Sequence, residues 1–432
     1  MDELRMDGDV LLERMRELPG GQEAFDLAAG RDDVELVGGA VRDLLLERTP
    51  RELDLVVAAD ASSFARDLAS RLDISAAGDP EGSFGVAEHE RFGTAVVWWQ
   101  GGRVDIARRR AESYAVPGAL PDVRAGTIQQ DLLRRDFTVN AITVALGGGR
   151  MGELSSVPHA LEDLAASRLR VLHERSFVDD PTRLRRLARD LARLQFEPER
   201  RTAELAAQAL ASGALATVSG ARIGAELRLL LKEPDPPAAL ARLSELGVLS
   251  ALHPGLRLHE RVARRALEAL PQDGRADLLL LAAVLQPMAE EEPEDPERAM
   301  SGLLDDLDFS AGDRDRAVRA AIMAPALLAR LQSAEPPSAL GAAMQAAPVE
   351  ALALALGLAE ERGCTQAAAA AARWLSELRH VRLQITGDDL LAAGIPAGPE
   401  IGRRLRLVMG RKLDGELPGG REAELSAAME AL

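Results

Sequence analysis

The sequence predicts an α+β fold in which a small mixed sheet is followed by helices only. Residues 34–150 alternate short β-prone runs with helical spacing, whereas after Leu161 the apolar residues recur at helical spacing alone. Alanine and leucine dominate the composition and aromatic residues make up 3% of it, which also favours helix. These observations predict a mixed-sheet region followed by an all-helical remainder.

Composition narrows the class of protein. The single cysteine, Cys364, excludes a disulfide framework and a cysteine zinc cluster. The N-terminal residues lack the apolar core of a signal peptide, and no apolar run is long enough to span a membrane, so we expect a cytoplasmic protein. The net charge of −17 argues weakly against nucleic acid as a partner. The charges are segregated, however, with nine acids and one arginine between Glu290 and Asp308, so a local basic face is still compatible with the sequence.

The run ELDLVV, residues 52–57, predicts a strand that carries two acids on one face. Residues two apart on a strand point the same way, so Glu52 and Asp54 would lie side by side. Neighbouring carboxylates repel, and a bound cation removes the conflict. Paired oxygen ligands suit Mg²⁺, which binds one or two carboxylates together with substrate phosphates. The alternative is an edge strand with one solvated face.

The neighbouring motifs fit a nucleotide site around this pair. Gly38 and Gly39 precede a helix that carries Arg42 in its first turn, an arrangement that suits a phosphate, although an ordinary tight turn has the same pattern. Asp105, in the strand RVDI, is a candidate third acid if its strand joins the same sheet, or else a partner of a following arginine from 108 to 110.

Two polar clusters follow. In the segment 131–140, Arg134 and Arg135 are candidates to neutralise phosphate or RNA backbone, while Asp136 and Asn140 are interpreted as local fasteners. The segment DDPTR opens an amphipathic helix whose apolar stripe is formed by leucines. Asp180 suits an N-cap. The functional alternative is that Asp180 and Arg183, three residues apart, read the hydrogen-bonding edge of a nucleobase.

Several local elements are predicted as well. The residues around Gly101–Gly102 and Gly147–Gly152 predict hairpin turns, and residues 137–146 predict a strand. The charged, proline-rich segment 287–300 predicts a solvated loop, whereas the alanine-rich tract 337–379 predicts helices.

Taken in order, these motifs resemble the bacterial class II tRNA nucleotidyltransferase and poly(A) polymerase family, part of the polymerase-β-like nucleotidyltransferase superfamily. The resemblance covers most of the chain and implies four segments: a helical extension (1–30), a mixed-sheet head (31–150), a helical neck (151–235), and an all-α body and tail (236–432). It rests on the segments LVGGAVRDLLLERTPRELDL, RVDIARRRAESYAVPGALPDV, DLLRRDFTVNAITVAL, VDDPTRLRRLARDLARLQF, ARIGAELRLLLKEPDPPAALARLSELGVLSALHPGL and ITGDDLLAAGIPAGPEIGRRLRLVMGRKLDGEL.

The resemblance implies roles for the candidate residues. The catalytic, metal-binding acids would be Glu52, Asp54 and Asp105. The triphosphate turn would comprise Gly38, Gly39 and Arg42. The nucleotide pocket would be shaped by Arg134, Arg135, Asp136 and Asn140, and the base would be read by Asp180 and Arg183. One departure is Glu52, where the family usually has aspartate, and this substitution predicts altered metal geometry.

The resemblance also implies the activity. We expect Mg²⁺-dependent, template-independent transfer of CMP and AMP from CTP and ATP to the 3′ end of tRNA, with the helical tail on the acceptor arm. Arginines around 183–201 and 403–411 are candidate RNA contacts. Three alternatives stay open, namely addition of CC or A alone, poly(A) synthesis, and a catalytically weak RNA-binding paralogue.

Overall fold

The computed structural model describes residues 7–58, 60–75, 83–89, 93–291, 294–333, 335–417 and 419–430. The chain forms two compact units, the first ending at Val218 and the second beginning at Ser219. This boundary falls inside the segment predicted as the neck, and the four-part division stays a prediction. No helix in the described ranges is long and apolar enough to cross a membrane.

The first unit is built on a mixed sheet. Its strands are β1 Val34–Val37, β2 Leu53–Val57, β3 Gly85–His89, β4 Thr94–Trp99, β5 Gly102–Arg108, β6 Arg110–Ser113, β7 Asp122–Ala125, β8 Ile142–Ala145, β9 Leu154–Ser156, β10 Arg168–Leu169 and β11 Glu197–Pro198. Seven of them form a sheet of spatial order β3-β4-β5-β2-β1-β8-β9. The pairs β6–β7 and β10–β11 lie outside that sheet. Because β10 and β11 follow Leu161, the expectation of helices alone beyond that residue was wrong for these two short strands.

The helices of the first unit cover the sheet and carry the polar motifs. They are α1 Gly8–Arg16, α2 Gly21–Ala28, α3 Gly39–Leu45, α4 Ala61–Arg71, α5 Ile128–Leu133, α6 Ala160–Ala165, α7 Ser176–Asp179, α8 Arg183–Leu194 and α9 Arg200–Ala211. Helix α4 packs on β4 and β5 through buried Phe64 and Leu68. Its N-terminus is capped by Asp60, whose side chain accepts from the Ser62 amide.

The parallel pairing of β2 with β5 places the acids together. In this register Asp54 lies opposite Asp105. Since successive side chains alternate between faces, Asp54 and Asp105 share one face of the sheet. On the other face Leu53, Val104 and Ile106 are buried, and they anchor both strands in the core.

The predicted turns and strands hold with one correction. Strands β4 and β5 form an antiparallel hairpin with Trp99 opposite Gly102, and β8 and β9 form a second hairpin around residues 147–152. The predicted strand 137–146 was wrong in its first half, where Thr138–Asn140 is a 3₁₀ turn. The Asn140 side chain hydrogen-bonds to Asp136 and Asp190, and these contacts favour the turn over a straight strand.

The second unit is helical over the residues described. Its helices are α10 Gly220–Leu230, α11 Pro236–Glu245, α12 Val248–Leu252, α13 Glu260–Ala269, α14 Ala276–Glu291, α15 Pro296–Asp306, α16 Ala311–Gln332, α17 Pro337–Ala346, α18 Val349–Glu361, α19 Thr365–Ser376, α20 Gly387–Ala392, α21 Pro399–Leu413 and α22 Arg421–Glu430. The alanine-rich tract 337–379 is helical as predicted, in α17, α18 and α19.

The solvated loop predicted for 287–300 was largely wrong. Helix α14 continues through Pro287 to Glu291 because the apolar run before this proline is buried in helical conformation. Helix α15 begins at Pro296, with the Asp295 side chain as its N-cap. Residues 292–293 lie outside the described ranges.

Two buried acids fasten elements of the second unit. Glu350, on α18, accepts from the Arg316 guanidinium at 2.7 and 3.0 Å and from the Arg275 amide. Glu424, on α22, forms an ion pair with Lys412 and accepts from the amides of Gln384 and Ile385. Helices α20, α21 and α22 close on a small apolar cluster of Ile385, Leu390, Val408, Ala427 and Ala428.

Candidate active site

Three carboxylates converge at the β2–β5 pair. One oxygen from each of Glu52, Asp54 and Asp105 lies within 4.8 Å of the others. Glu52 immediately precedes β2 and its side chain is 43% exposed, whereas Asp105 is 25% exposed. The residues predicted from spacing alone are therefore brought together. Hard oxygen ligands in such a cluster fit a divalent cation such as Mg²⁺.

The electrostatics of the cluster favour an added positive charge. Removal from bulk water, and then the charge of Glu52, raise the pKa of Asp54 to about 7, although Arg135 and Arg42 act in the opposite direction. Burial and the charge of Asp105 raise the pKa of Glu52. Carboxyl groups that hold their protons above the ordinary range are insufficiently neutralised by their surroundings. A divalent cation would supply the missing charge.

Arg103 is the basic side chain in direct contact with two of these acids. Its Nε and Nη2 donate to the two oxygens of Asp105 at 2.8 and 2.9 Å, and its Nε lies 3.3 Å from Oε2 of Glu52. The partner that the sequence offered for Asp105 was an arginine from 108 to 110. The structure gives Arg103 instead, because residues 103 and 105 share a face of β5.

A cleft opens beside the acids. It has a volume of about 330 Å³, and its lining includes Asp54, Asp105, Arg134 and Arg135. Gly38 lies at this place with a φ of +70°, and a Cβ there would stand 2.7 Å from Nη1 of Arg135 and 3.7 Å from Oδ2 of Asp54. Only glycine accepts both the backbone conformation and the close approach. The Gly38–Gly39 turn and Arg135 thus border the acids directly.

Arg42, a candidate phosphate-binding residue, already has carboxylate and amide partners. It is buried, donates from Nε to Asp43 at 2.8 Å, and donates from Nη1 to Oδ1 of Asn140 at 2.6 Å. Asp43 also accepts from Arg193 of α8 at 2.7 Å. In the ligand-free structure Arg42 therefore joins α3 to the segment around Asn140.

Arg134 and Arg135 are held by a buried acid at the end of α5. Asp131 accepts from Arg134 at 2.8 and 3.0 Å and from Arg135 at 3.0 Å. Burial would raise the pKa of Asp131, but the two arginines outweigh it and hold that pKa below its ordinary value. Arg134 also contacts Glu112 at 3.2 Å. The two guanidinium groups are thus fixed in position beside the cleft.

Asp136 and Asn140 belong to a second, well-neutralised cluster. Asp136 accepts from the Phe137 amide and from Nδ2 of Asn140, and it lies 3.2 Å from Arg186. Burial alone would raise the pKa of Asp136, but Arg186 and the Asn140 hydrogen bond lower it to about 2. This acid is therefore ionised at neutral pH.

Asp180 and Arg183 lie beside this cluster, at the start of α8. Oδ1 of Asp180 accepts from the amide and hydroxyl of Thr182 at 3.1 and 2.5 Å, while Oδ2 accepts from Arg186 at 3.0 Å and lies 3.9 Å from Nε of Arg183. Arg183 donates to the Ser176 hydroxyl and to the Arg134 carbonyl. Helix α8 begins at Arg183 with Thr182 as its N-cap residue, so the prediction of Asp180 as the N-cap was wrong by two residues. Asp180 instead supports the start of the helix by accepting from the amide and hydroxyl of Thr182.

A continuous chain of contacts links the two predicted nucleotide motifs. It runs from Arg42 through Asn140 and Asp136 to Arg186 and Asp180. Sequence reasoning missed Arg186, which stands three residues after Arg183 and so shares its helical side. It also missed Arg103, which the two-residue period of the strand would have placed beside Asp105.

Two family models and several known proteins match parts or all of this chain. Residues 34–170 match the family model described as the poly A polymerase head domain, and residues 195–259 match the model described as the probable RNA and SrmB-binding site of polymerase A. An A-adding tRNA nucleotidyltransferase of Geobacter sulfurreducens is 32% identical over 90% of this chain and 45% of its own length. A CC-adding tRNA nucleotidyltransferase of Deinococcus radiodurans is 42% identical over 54% of this chain and 59% of its own length. The chain thus spans less than two thirds of either relative.

Solved structures extend the likeness to the whole chain. A CCA-adding enzyme in an apo form superposes with a TM-score of 0.79 at 28% identity, covering 99% of both chains. The Thermotoga maritima CCA-adding enzyme, solved in complex with tRNA, superposes with a TM-score of 0.75 at 27% identity over 98% of this chain and 99% of that one. The mixed-sheet head and the helical remainder are therefore shared with these proteins.

Proposed function

Because the chain belongs to the family of tRNA nucleotidyltransferases and poly(A) polymerases, we propose that it adds CMP, AMP or both to the 3′ end of tRNA. The donors are CTP and ATP, and no nucleic acid template is used. The leading observation is the convergence of Glu52, Asp54 and Asp105 beside a cleft. The expected cytoplasmic location stays a prediction.

The residues present fit a divalent cation, for which we propose Mg²⁺. Glu52, Asp54 and Asp105 offer only oxygen ligands, and burial together with the charge of Glu52 raises the pKa of Asp54 to about 7. When bound, the cation would stabilise negative charge on the attacking and leaving oxygens of the nucleotidyl transfer. The chain's own contribution is to hold the three carboxylates on rigid strands, at one end of the β2–β5 pair.

The phosphates of the nucleotide lie in this proposal against the Gly38–Gly39 turn and Arg135. Gly38 brings the backbone close to the acids, and Arg135 lines the same cleft. A fixed guanidinium binds phosphate oxygens with little loss of side-chain freedom. Arg42 donates to Asp43 and Asn140 next to this turn. Its role is therefore to position the turn, unless nucleotide binding moves its guanidinium towards the phosphates.

Base selection is assigned to Asp180 and Arg183. A carboxylate accepts from the exocyclic amine that cytosine and adenine share, and a guanidinium donates to a ring acceptor. In this structure Oδ2 of Asp180 is engaged by Arg186, and Arg183 is buried and donates to the Ser176 hydroxyl and the Arg134 carbonyl. A bound base must therefore displace or share these contacts. Asp136 and Asn140 hold this end of the site in place through Arg186 and Arg42.

Fewer arginines are candidate RNA contacts than the two arginine-rich runs suggested. Arg183, Arg185 and Arg404 are buried and therefore cannot reach an RNA backbone. Arg200, with 91% of its side chain exposed, and Arg403, with 62%, are better placed. We propose contacts from these exposed positions, which would act on phosphate charge and helix shape.

The direct test is incorporation of labelled CTP or ATP into tRNA that lacks its 3′ end, in the presence of Mg²⁺. Three added residues would identify CCA synthesis, two cytidines a CC-adding enzyme, and one adenosine on a tRNA ending in CC an A-adding enzyme. A long A tail would identify a poly(A) polymerase. No incorporation of either nucleotide, with RNA binding retained, would overturn the proposal and leave an RNA-binding paralogue.

A further inference from the structure

Arg103 stands where an incoming cation would bind. Its guanidinium takes both oxygens of Asp105 and one oxygen of Glu52, so it engages two of the three proposed ligands at once. The contact to Asp105 is bidentate, the geometry in which a guanidinium matches a carboxylate best. Among the residues that the structure describes, the ion-pair partners of Arg103 are Asp105 and Glu52, and Asp54 is not one of them.

This contact and a bound divalent cation need the same atoms. An oxygen that accepts a short hydrogen bond from Arg103 has to turn away from it, at least in part, to face a metal ion. Two positive charges on the same carboxylates also repel each other. With 52% of its side chain exposed, Arg103 has a path into solvent on its flexible stem. The structure therefore contains a displaceable internal counter-charge.

We propose that Arg103 is a positioning residue that holds Asp105 and Glu52 together in the metal-free protein and is displaced when a divalent cation binds. The inference rests on the proposed metal site. Arg103 lowers the apparent metal affinity, because each binding event first breaks its contacts. It also reduces the repulsion between the two carboxylates before metal and nucleotide bind.

The test is equilibrium binding of Mn²⁺ alone, measured by the electron paramagnetic resonance of the free ion, with neither nucleotide nor RNA. Arg103→Gln should lower the dissociation constant about two- to fivefold, the range expected when a partly exposed ion pair is removed. Arg103→Lys keeps the charge but loses the bidentate geometry. Its Mn²⁺ dissociation constant should therefore lie between those of the unchanged protein and Arg103→Gln. Arg108→Gln is the matched control, since it removes the same charge from the opposite face of β5.

Thermal unfolding in the presence of a chelator gives a second, independent reading. Without metal, Arg103→Gln should unfold at a lower temperature than the unchanged protein, whereas Arg108→Gln should not. An unchanged or raised Mn²⁺ dissociation constant in Arg103→Gln would overturn the inference. Arg103→Lys at the unchanged value would also overturn it, because charge repulsion alone would then explain the effect.

A further variant separates this inference from the proposed function. Asp54→Asn removes a ligand that Arg103 does not contact, so it should weaken Mn²⁺ binding whether or not Arg103 competes. If the unchanged protein shows no Mn²⁺ binding that depends on Asp54, the proposed metal site itself fails. If that binding exists and Arg103→Gln leaves it unchanged, only the inference about Arg103 fails.

Discussion

The two ends of the candidate site handle negative charge in opposite ways. At the acidic end, Arg103 contacts Glu52 and Asp105, and burial with mutual repulsion raises the pKa of Asp54 to about 7. At the end proposed to read the base (the base-reading end), Asp136 and Asp180 meet arginines and backbone amides, and the pKa of Asp136 falls to about 2. The acids of the first end are only partly neutralised by the chain, whereas those of the second are paired with arginines.

The difference matches what each end binds in the proposed function. A site for a metal ion and phosphates needs carboxylates that are only partly neutralised, because the ligand completes their charge. A site that reads a neutral base needs polar atoms held in fixed positions, since selection depends on geometry. Pre-satisfied hydrogen bonds give that rigidity. Substitutions at the two ends should therefore differ in size and in kind.

The largest effect is expected from Asp54→Asn. This change removes a central ligand while nearly preserving the shape of the side chain. Nucleotide incorporation into tRNA should fall by at least about a hundredfold, as when a main electrostatic contribution to a transition state is lost. Asp67→Asn, an exposed aspartate of α4, should leave incorporation unchanged. Full activity in Asp54→Asn would remove this residue from the metal site.

The next effect is expected at the other end, from Asp180→Ala. The variant should still bind RNA and metal, but its preference for CTP or ATP over GTP or UTP should fall by about 10- to 100-fold, the value of one good base contact. The ratio of kcat/KM values for the four nucleotides measures it. An unchanged ratio would leave Asp180 as a support for the start of α8, through its contacts with Thr182.

Arg186→Gln should reproduce this loss of selection in a weaker form. Arg186 touches no substrate in the proposal but holds Asp180 and Asp136, so we expect about a two- to tenfold lower preference, within the range for a charged hydrogen bond. Arg71→Gln, at an exposed position in the last turn of α4, is the control. A Lys at position 186 should restore part of the preference. Equal selectivity in Arg186→Gln would show that Thr182 alone positions Asp180.

The sequence predicts the acidic end better than the base-reading end, and the reason is physical. Glu52, Asp54 and Asp105 follow from the two-residue period of a strand and from one pairing between neighbouring strands. The burial of Arg42 depends on Asn140, which is 98 residues away, and no local pattern contains that contact. Contacts between distant segments are set by packing, so periodicity alone does not reveal them.

The fold shows the same division. Helix and strand periods located most of the elements, including the alanine-rich helices from Pro337 onward. The segment 287–300 was misjudged because its composition was considered without its neighbours. Burial of the apolar run up to Met288 outweighs the local preference of Pro287 against helix. Burial in the tertiary structure therefore determined the secondary structure where the local propensity was weak or opposed to it.

The pH dependence of stability should have opposite signs at the two ends in metal-free protein. Folding raises the pKa of Asp54 from 3.8 to about 7, so its proton stabilises the folded state and the free energy of unfolding falls as the pH rises between these values. Folding lowers the pKa of Asp136 from 3.8 to about 2. Its contribution is therefore present above 3.8 and is lost as the pH falls towards 2.

Chemical denaturation across this pH range measures both contributions. With a chelator present and the pH above about 7, Asp54→Asn should raise the free energy of unfolding by about 1–2 kcal/mol, a value reduced for the partial exposure of the carboxyl. Asp136→Asn should lower it by about 2 kcal/mol near neutral pH, with the difference vanishing below about pH 2. If both substitutions changed the free energy of unfolding in the same direction, the contrast between the two ends would be refuted.

The smallest effect is expected from Glu52→Asp. Glu52 precedes β2, and its carboxylate reaches Arg103 and the other two acids with the full length of its side chain. Shortening it by one methylene withdraws the oxygen from the cluster, and Mg²⁺ tolerates little displacement of its ligands. Mn²⁺ affinity should therefore fall about two- to fivefold, less than for loss of a whole charge. A higher Mn²⁺ affinity in Glu52→Asp would mean that the longer glutamate side chain weakens the site. The acids of this end would then be both incompletely neutralised and placed in a poor geometry for a metal ion.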